Sequence, residues 1–173
     1  MANTTFSGPV RSLNGFISFG PKAVVSLTAD TTLTVATHAG RILTCNDADG
    51  KFTLPTITSG SAAEVAGAND YNVLSNLGCT YTFWVQTLAT DMDIKTDGTD
   101  RFFGSVFLGV TNDADGKTFI SSSGTNDVMT LNGGTTGGIV GSWVEFTAIS
   151  SAAYFVRGSL IGTASVATPF ANA

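Results

Sequence analysis

The most regular alternation of apolar and polar residues along the chain lies in the range 79–88. Cys79, Tyr81, Phe83 and Val85 occupy every second position, and mainly Thr and Trp stand between them. A period of two places alternate residues on one face only in a β-strand, and Thr and aromatic residues fit a pleated surface well. The pattern therefore predicts a central core strand in which these four side chains face the interior.

Shorter apolar runs bounded by glycine and turn residues lie on both sides of this strand. They predict further strands in the ranges 24–27, 33–36, 41–54, 92–95, 101–110, 118–122, 128–131 and 141–157. Many short strands without a sustained helical period are typical of two-sheet β proteins. We therefore predict an all-β fold, a single jelly roll or β-sandwich.

Two copies of the sequence Asn-Asp-Ala-Asp-Gly-Lys, at 46–51 and 112–117, precede predicted strands. Asn and Asp side chains bond to their own backbone and Gly accepts a left-handed conformation, so both copies predict hairpin turns. A third hairpin is predicted around 150–152. Neither acidic copy has the ligand spacing of a calcium-binding EF-hand loop, because Cys45 and Thr111 stand at the first ligand position.

The ends of the chain and one internal stretch differ from the strand-rich part. We predict an extended N-terminal arm at 1–22, a jelly-roll domain at 23–158 and a C-terminal extension at 159–173. The insert 56–78 has capping-box spacing and apolar residues three and four apart, which predicts one or two short helical turns. The order of the strands is left open by the sequence.

Breakers such as Gly8-Pro9 and Gly20-Pro21 exclude a long helix in the arm, and its apolar content is high for a solvated tail. Two interpretations stay open: the arm packs on its own domain, or it lies on another subunit by strand addition or in apolar pockets. The second interpretation assigns capsid binding, discussed below, to Phe6, Pro9, Val10, Arg11, Leu13, Phe16 and Phe19.

Charge is sparse, at 12% of the 173 residues, with a net charge of −5. The first 29 residues carry Arg11 and Lys22 and no acid, so the remainder has six bases against thirteen acids. Nucleic-acid binding needs clustered Lys and Arg, so we expect no nucleic-acid partner. We also expect no transmembrane segment and no signal peptide. Cys45 and Cys79 are expected to be free thiols.

The sequence lacks recognisable catalytic constellations. His38 is the single histidine, and a structural role is more typical of its setting than general-base catalysis. The glycine pairs at 133–134 and 137–138 lack the Lys that follows in a phosphate-binding loop. Asp91, Asp93, Asp97 and Asp100 have no ligand spacing, although a hard cation is an alternative for them. We expect no enzyme activity, no metal and no cofactor.

Exposed aromatic rings on a β-sandwich can stack on sugars, and five tyrosines and tryptophans are candidates: Tyr71, Tyr81, Trp84, Trp143 and Tyr154. Trp143 and Tyr154 lie inside apolar runs, so core packing is the simpler expectation for them.

Several segments together carry a resemblance. The opening 1–16 resembles virion proteins of marine tailed bacteriophages. A further series is similar to their jelly-roll capsid decoration (cement) proteins: Gly40-Arg41-Ile42-Leu43, Phe52-Thr53-Leu54-Pro55, Gly78-Cys79-Thr80-Tyr81-Thr82-Phe83, Gly141-Ser142-Trp143-Val144-Glu145-Phe146 and Tyr154-Phe155-Val156-Arg157-Gly158. No single motif among them is diagnostic.

The resemblance implies a homotrimer on the outer surface of a phage head. It would be assembled in the host cytoplasm and would bridge neighbouring copies of the major capsid protein, with three arms engaging together. The alternative is a head-fibre or tail-appendage module that binds a host-surface glycan.

Overall fold

The computed structural model describes residues 23–58, 76–111, 116–121, 124–163 and 165–172 of the chain. The described residues form twelve strands and one four-residue helix in two sheets. This confirms the prediction of an all-β fold with two sheets. The predicted arm at 1–22 and the central part of the predicted insert, 59–75, lie outside the described residues.

The elements follow one another in short steps along the chain. Their bounds are β1 Val24–Leu27, β2 Thr31–Thr32, α1 Val35–His38, β3 Ile42–Cys45, β4 Lys51–Thr53, β5 Thr80–Val85, β6 Met92–Lys95, β7 Arg101–Val110, β8 Lys117–Ser121, β9 Val128–Leu131, β10 Trp143–Ser150, β11 Ala153–Gly162 and β12 Phe170–Ala171. The strand predicted at 33–36 is wrong, since α1 begins at Val35 and residues 33 and 34 lie in no strand.

Seven strands form what we call the large sheet, in the order β1-β3-β5-β10-β11-β7-β8, and five form the small sheet, in the order β12-β9-β6-β4-β2. The first six strands alternate between the two sheets, so that β1, β3 and β5 are parallel neighbours in one and β2, β4 and β6 in the other. The pair β7·β11 is also parallel. A jelly roll is built from antiparallel Greek keys, so this finer prediction is not confirmed.

The first acidic repeat does not form the predicted hairpin. It leads from β3 in the large sheet to β4 in the small sheet, and its backbone pairs with a later connection: the Ala48 carbonyl accepts from Thr90 N at 2.7 Å and the Gly50 carbonyl from Asp93 N at 3.0 Å. The strands flanking the second repeat, β7 and β8, are antiparallel neighbours. The third predicted hairpin, between β10 and β11, is confirmed.

The inner faces of the two sheets share one apolar core. Phe83 of β5 stacks on Phe52 of the small sheet, with ring centroids 6.2 Å apart, and meets Phe146 of β10 edge to face at 5.8 Å. Phe146 also contacts Phe102 of β7 at 4.8 Å. All four side chains are fully buried, so this aromatic cluster joins the parallel first half of the fold to the later strands.

The predicted C-terminal extension begins inside a strand. β11 continues to Gly162 and pairs with β7 along its whole length, and Leu160 is buried. Farther on, Phe170 is buried and lies in β12, which pairs with β9. The range 159–162 therefore belongs to the large sheet, and 170–171 belongs to the small sheet.

Candidate interaction surface

The outer face of the large sheet is the most unusual surface among the described residues. Inward and outward side chains alternate along every strand, and the outward positions of neighbouring strands align into three rows. Large apolar side chains occupy much of these rows, although they are exposed. We call this surface the apolar face. Contiguous exposed apolar area is a feature that interaction surfaces share.

The first row runs across the ends of the central strands. From β3 to β8 its members are Thr44, Trp84, Trp143, Ser159, Phe107 and Thr118. Trp84 and Trp143 stand directly opposite each other on β5 and β10 and are 37% and 39% exposed, and Phe107 is 50% exposed. Cross-strand aromatic pairs stabilise a sheet, but rings this exposed leave much of their area for a partner.

The middle row has apolar ends and a charged centre. Val24 and Ile42 lie at the β1 edge and Ile120 at the β8 edge, all of them exposed. At the centre, Arg157 Nε and Nη2 both lie 2.8 Å from Glu145 Oε1. The central charges therefore neutralise each other.

A third row carries a second aromatic pair. Phe155 of β11 lies opposite Phe103 of β7, and Thr147 and Thr80 continue the row on β10 and β5. Both phenylalanines are exposed. The first and third rows thus combine aromatic side chains with Thr and Ser, whereas the middle row combines aliphatic and charged side chains.

The strands of the large sheet contain one acidic residue, Glu145. The other described acids lie in connections or in the small sheet: Asp30, Asp47, Asp49, Asp91, Asp93, Asp97, Asp100 and Asp127. Because the chain as a whole is acidic, the apolar face is a locally neutral area on a negatively charged molecule.

The outer face of the small sheet has the opposite character. Lys51 Nζ lies 3.0 Å from Asp91 Oδ2 and 3.1 Å from Asp93 Oδ2, and Thr130 Oγ1 donates to Asp93 Oδ1 at 2.7 Å. Burial by itself lowers the pKa of Lys51, but the hydrogen bonds to Asp91 and Asp93 outweigh it and leave this pKa raised. Polar groups on this face thus satisfy one another.

The four acids considered as a cation site are separated by β6. Asp91 and Asp93 pair with Lys51 at its start. Beyond its end, hydrogen bonds from Thr56 and Thr99 lower the pKa of Asp97, while burial raises that of Asp100, whose Oδ2 accepts from Ile57 N at 2.8 Å. In the part of the chain that the structure describes, no group of three or more His, Cys, Asp or Glu is placed to hold a metal.

His38 closes the short helix α1. Its Nδ1 accepts from Thr34 N at 2.9 Å and lies 2.7 Å from Thr37 Oγ1. These bonds tie the ring to its own helical turn, as expected of a structural histidine.

A buried polar cluster lies where the chain enters and leaves the range 59–75. Asn76 donates to the Thr56 carbonyl at 2.9 Å and accepts from Thr58 N at 2.8 Å. Tyr154 donates to the Pro55 carbonyl at 2.5 Å, and burial raises its pKa. The hydroxyl of Tyr81 is also buried and has no hydrogen-bond partner among the described residues, and burial raises its pKa to about 12.

The structure places the predicted core strand at the centre of the large sheet, between β3 and β10. Tyr81, Phe83 and Val85 are fully buried, whereas Cys79 precedes the strand and is half-buried. Both thiols are free, and burial raises the pKa of Cys45 to about 12. The seven residues assigned to the capsid-binding arm lie outside the described residues.

The expectation that Trp143 packs in the core is wrong, while Tyr154 is buried as expected. The surface residues that sequence reasoning missed are Phe103, Phe107, Ile120, Trp143 and Phe155. One signal was present: the period of two in β10 places Trp143 on the same face as Glu145 and Thr147.

Within the described ranges, no helix is long and apolar enough to cross a bilayer. Comparisons of the chain with models of protein families, with curated protein sequences and with solved structures found no match.

Proposed function

We propose that this chain is a non-enzymatic structural protein of a virus particle, a decoration or cement protein that binds the outer surface of a phage head. In this proposal it associates with itself and with the major capsid protein and stabilises contacts between capsid subunits. The resemblance of the sequence implies three copies per assembly and attachment through the arm at 1–22. Assembly takes place in the host cytoplasm.

The observation that carries the proposal is the difference between the two outer faces of the sandwich. Two aromatic pairs stand exposed on the large sheet beside an ion pair whose charges cancel. Such side chains can stabilise a complex with a binding partner, since burial of apolar area stabilises association by about 25 cal/mol per Å² before the costs of binding are subtracted. The described ion pairs, of Lys51 with Asp91 and Asp93, of Arg101 with Asp127 and of Arg157 with Glu145, suit a structural role.

The experiment is to count the protein on purified particles of the virus that encodes it, by quantitative mass spectrometry against the major capsid protein. Hundreds of copies, released together with loss of head stability, support the decoration role. Absence from the particle contradicts it. Removal of residues 1–20 tests the arm: the truncated protein should stay folded and fail to bind heads, and normal binding would contradict the assignment of capsid binding to the arm.

The exposed pair Trp84 and Trp143 favours a second candidate, a head-fibre or tail-appendage module that binds a host-surface glycan. Tryptophan rings on neighbouring strands form a platform on which sugar rings can stack. This candidate predicts a dozen copies or fewer per particle. It also predicts retardation of the protein in gels that contain host polysaccharide, and this retardation should disappear in W84A and persist in the small-sheet variant K95E.

A further inference from the structure

We propose that the apolar face binds the same face of a second copy of this chain. The two copies would be related by a two-fold axis that is parallel to the strands and lies between the two facing sheets, over the gap between β10 and β11. This inference goes beyond the proposed function: the resemblance implies three copies per assembly, whereas a two-fold contact through one face joins two copies, so the apolar face makes a contact that is distinct from the contacts within a trimer. In a two-fold contact, if a residue of the first copy contacts a second residue of the partner, then that second residue of the first copy contacts the first residue of the partner. The face must therefore be complementary to itself.

The order of strands makes the consequences of such an axis simple to follow. β10 and β11 are the fourth and fifth of the seven strands. An axis between them places β10 over the partner's β11, β5 over its β7, and β3 over its β8. The rows stay aligned, so each row of one copy lies over the same row of the other.

The middle row is complementary in charge under this operation. Glu145 lies over the partner's Arg157, and Arg157 lies over the partner's Glu145. The Arg157 side chain is 61% exposed and uses Nε and Nη2 for its own Glu145, while a guanidinium has five N–H donors. Donors therefore remain for the carboxylate of the second copy, and the two ion pairs become one four-membered cluster.

The same row is complementary in polarity away from its centre. Thr82 lies over the partner's Ser105, hydroxyl facing hydroxyl, and Ile42 lies over the partner's Ile120. Both isoleucines are exposed near opposite edges of the sheet. A contact that buried only one of the two isoleucines, and buried it against polar groups, would gain less free energy from apolar burial.

The aromatic rows are complementary in size. Trp143 lies over the partner's Ser159, and Trp84 lies over the partner's Phe107. In the other row, Phe155 lies over the partner's Thr147, and Phe103 lies over the partner's Thr80. Three of these four pairs set a large side chain opposite a small one, which allows two sheets to approach to about 10 Å, the usual distance between packed sheets; Trp84 and Phe107 instead bring two rings together.

Charge favours a second copy over an unrelated partner. Two molecules of net charge −5 repel each other except where the surface is neutral, and on the described strands of the large sheet that place is the apolar face. The six strands that overlap and their three rows cover roughly 24 Å by 17 Å, or about 800 Å² for both copies, before the relief of the rings is counted. This is the size of a weak, reversible contact, below the roughly 1,200 Å² at which stable interfaces begin.

The test exchanges the two central charges. E145R places Arg over Arg at both ends of the cluster, and R157E places Glu over Glu, so each variant alone should dimerise about 100-fold more weakly. An equimolar mixture should form a heterodimer, because every contact across the axis then joins opposite charges. The double variant E145R/R157E should regain the homodimer. K95E, with the charge change of R157E on the small sheet, should dimerise normally.

The readouts are molar mass by light scattering at several concentrations and native mass spectrometry of the mixture. The heterodimer cannot arise from repair of the ion pair within one chain, since each variant still carries two like charges at 145 and 157. A native protein that is monomeric, a trimer unaffected by either charge variant, or a mixture that stays dissociated would overturn the two-fold contact. The copy number on particles is a separate measurement, so the proposed function can fail or stand independently.

Discussion

The outer faces of the large and small sheets are built on one shared core, but their exposed groups are arranged differently. On the small sheet Lys51 is held between Asp91 and Asp93, and Thr130 donates to Asp93. On the large sheet two aromatic pairs stand exposed beside a single ion pair. The polar groups of the small sheet satisfy one another, whereas the apolar side chains of the large sheet stay exposed.

Under the proposed function, this difference separates residues that stabilise the fold from residues that bind a partner. Polar residues on the small sheet find their partners locally, which keeps that face soluble in a chain with few charges. The exposed rings of the large sheet gain little stability where they stand. Substitutions on the two faces should therefore affect different measurements.

The largest effect is expected from G104A, which tests the close pairing of β7 with β11 beneath the apolar face. Gly104 has a φ of 139°, and an added Cβ would lie 2.0 Å from the Val156 carbonyl oxygen on β11. We expect a loss of at least about 3 kcal/mol in the free energy of unfolding, measured by denaturant titration. G109A on the same strand meets only the Phe107 ring at 3.3 Å and should cost about 1 kcal/mol or less. Equal losses would contradict the steric account.

The double substitution W84A/W143A should separate association from stability. We expect dimerisation about 100-fold weaker, equivalent to roughly 2.7 kcal/mol, while the unfolding free energy of the monomer falls by only about 1 kcal/mol. Sedimentation and thermal melts measure the two effects. The matched control is T53A/K95A, which removes two side chains that lie opposite each other on the small sheet and should leave association unchanged.

K51M should act on stability alone. It removes the cation between Asp91 and Asp93 and leaves two carboxylates facing each other, so we expect a loss of about 1 kcal/mol with unchanged dimerisation. K95M is the control, because Lys95 forms no salt bridge among the described residues. If K51M weakened dimerisation as strongly as W84A/W143A, the functional division between the faces would be wrong.

The smallest effect is a pair of opposite pH dependences beyond the end of β6. The lowered pKa of Asp97 means that its contribution to stability is present above the unfolded-state pKa of about 3.9 and is lost as the pH falls through the folded-state value. D97N should therefore weaken the acid dependence of unfolding. The raised pKa of Asp100 has the reverse sign: its contribution is present at low pH and is lost as the pH rises through the folded-state pKa.

D100N should accordingly be more stable than the native protein near neutral pH, provided that the amide oxygen still accepts from Ile57 N. Thermal melts between pH 3 and pH 7 measure how the stability of each variant, relative to the native protein, changes with pH. A change in the same direction for both variants would contradict these assignments.

The sequence predicts individual strands better than it predicts their partners. The period of two around Tyr81 and Phe83 suffices to predict β5, because alternation depends on neighbours along the chain. It does not reveal that β3 lies beside β5 in parallel. Partner choice depends on long connections, and those connections carry no periodic signal here.

The two acidic repeats illustrate this limit. The same six-residue sequence connects β3 to a strand of the other sheet at 46–51, and at 112–117 it lies between two antiparallel neighbours, β7 and β8. Local turn chemistry is the same in both. The hydrogen bonds from Thr90 and Asp93 to the first repeat come from residues more than 40 positions away, and no local pattern contains them. The apolar face was missed for a similar reason, because Trp143, Phe155 and Phe107 align only once the register of three strands is known.

The alternation of the first six strands between two sheets also bears on how the protein is made. The paired residues of β1 and β3, such as Val24 and Ile42, are 18 positions apart, whereas Thr82 of β5 meets Glu145 of β10 across 63. During translation the first strands, which pair with near neighbours along the chain, can form their contacts as soon as they leave the ribosome. The free edge of β5 then stays unpaired until β10 has been synthesised, and an unpaired strand edge favours aggregation of the nascent chain.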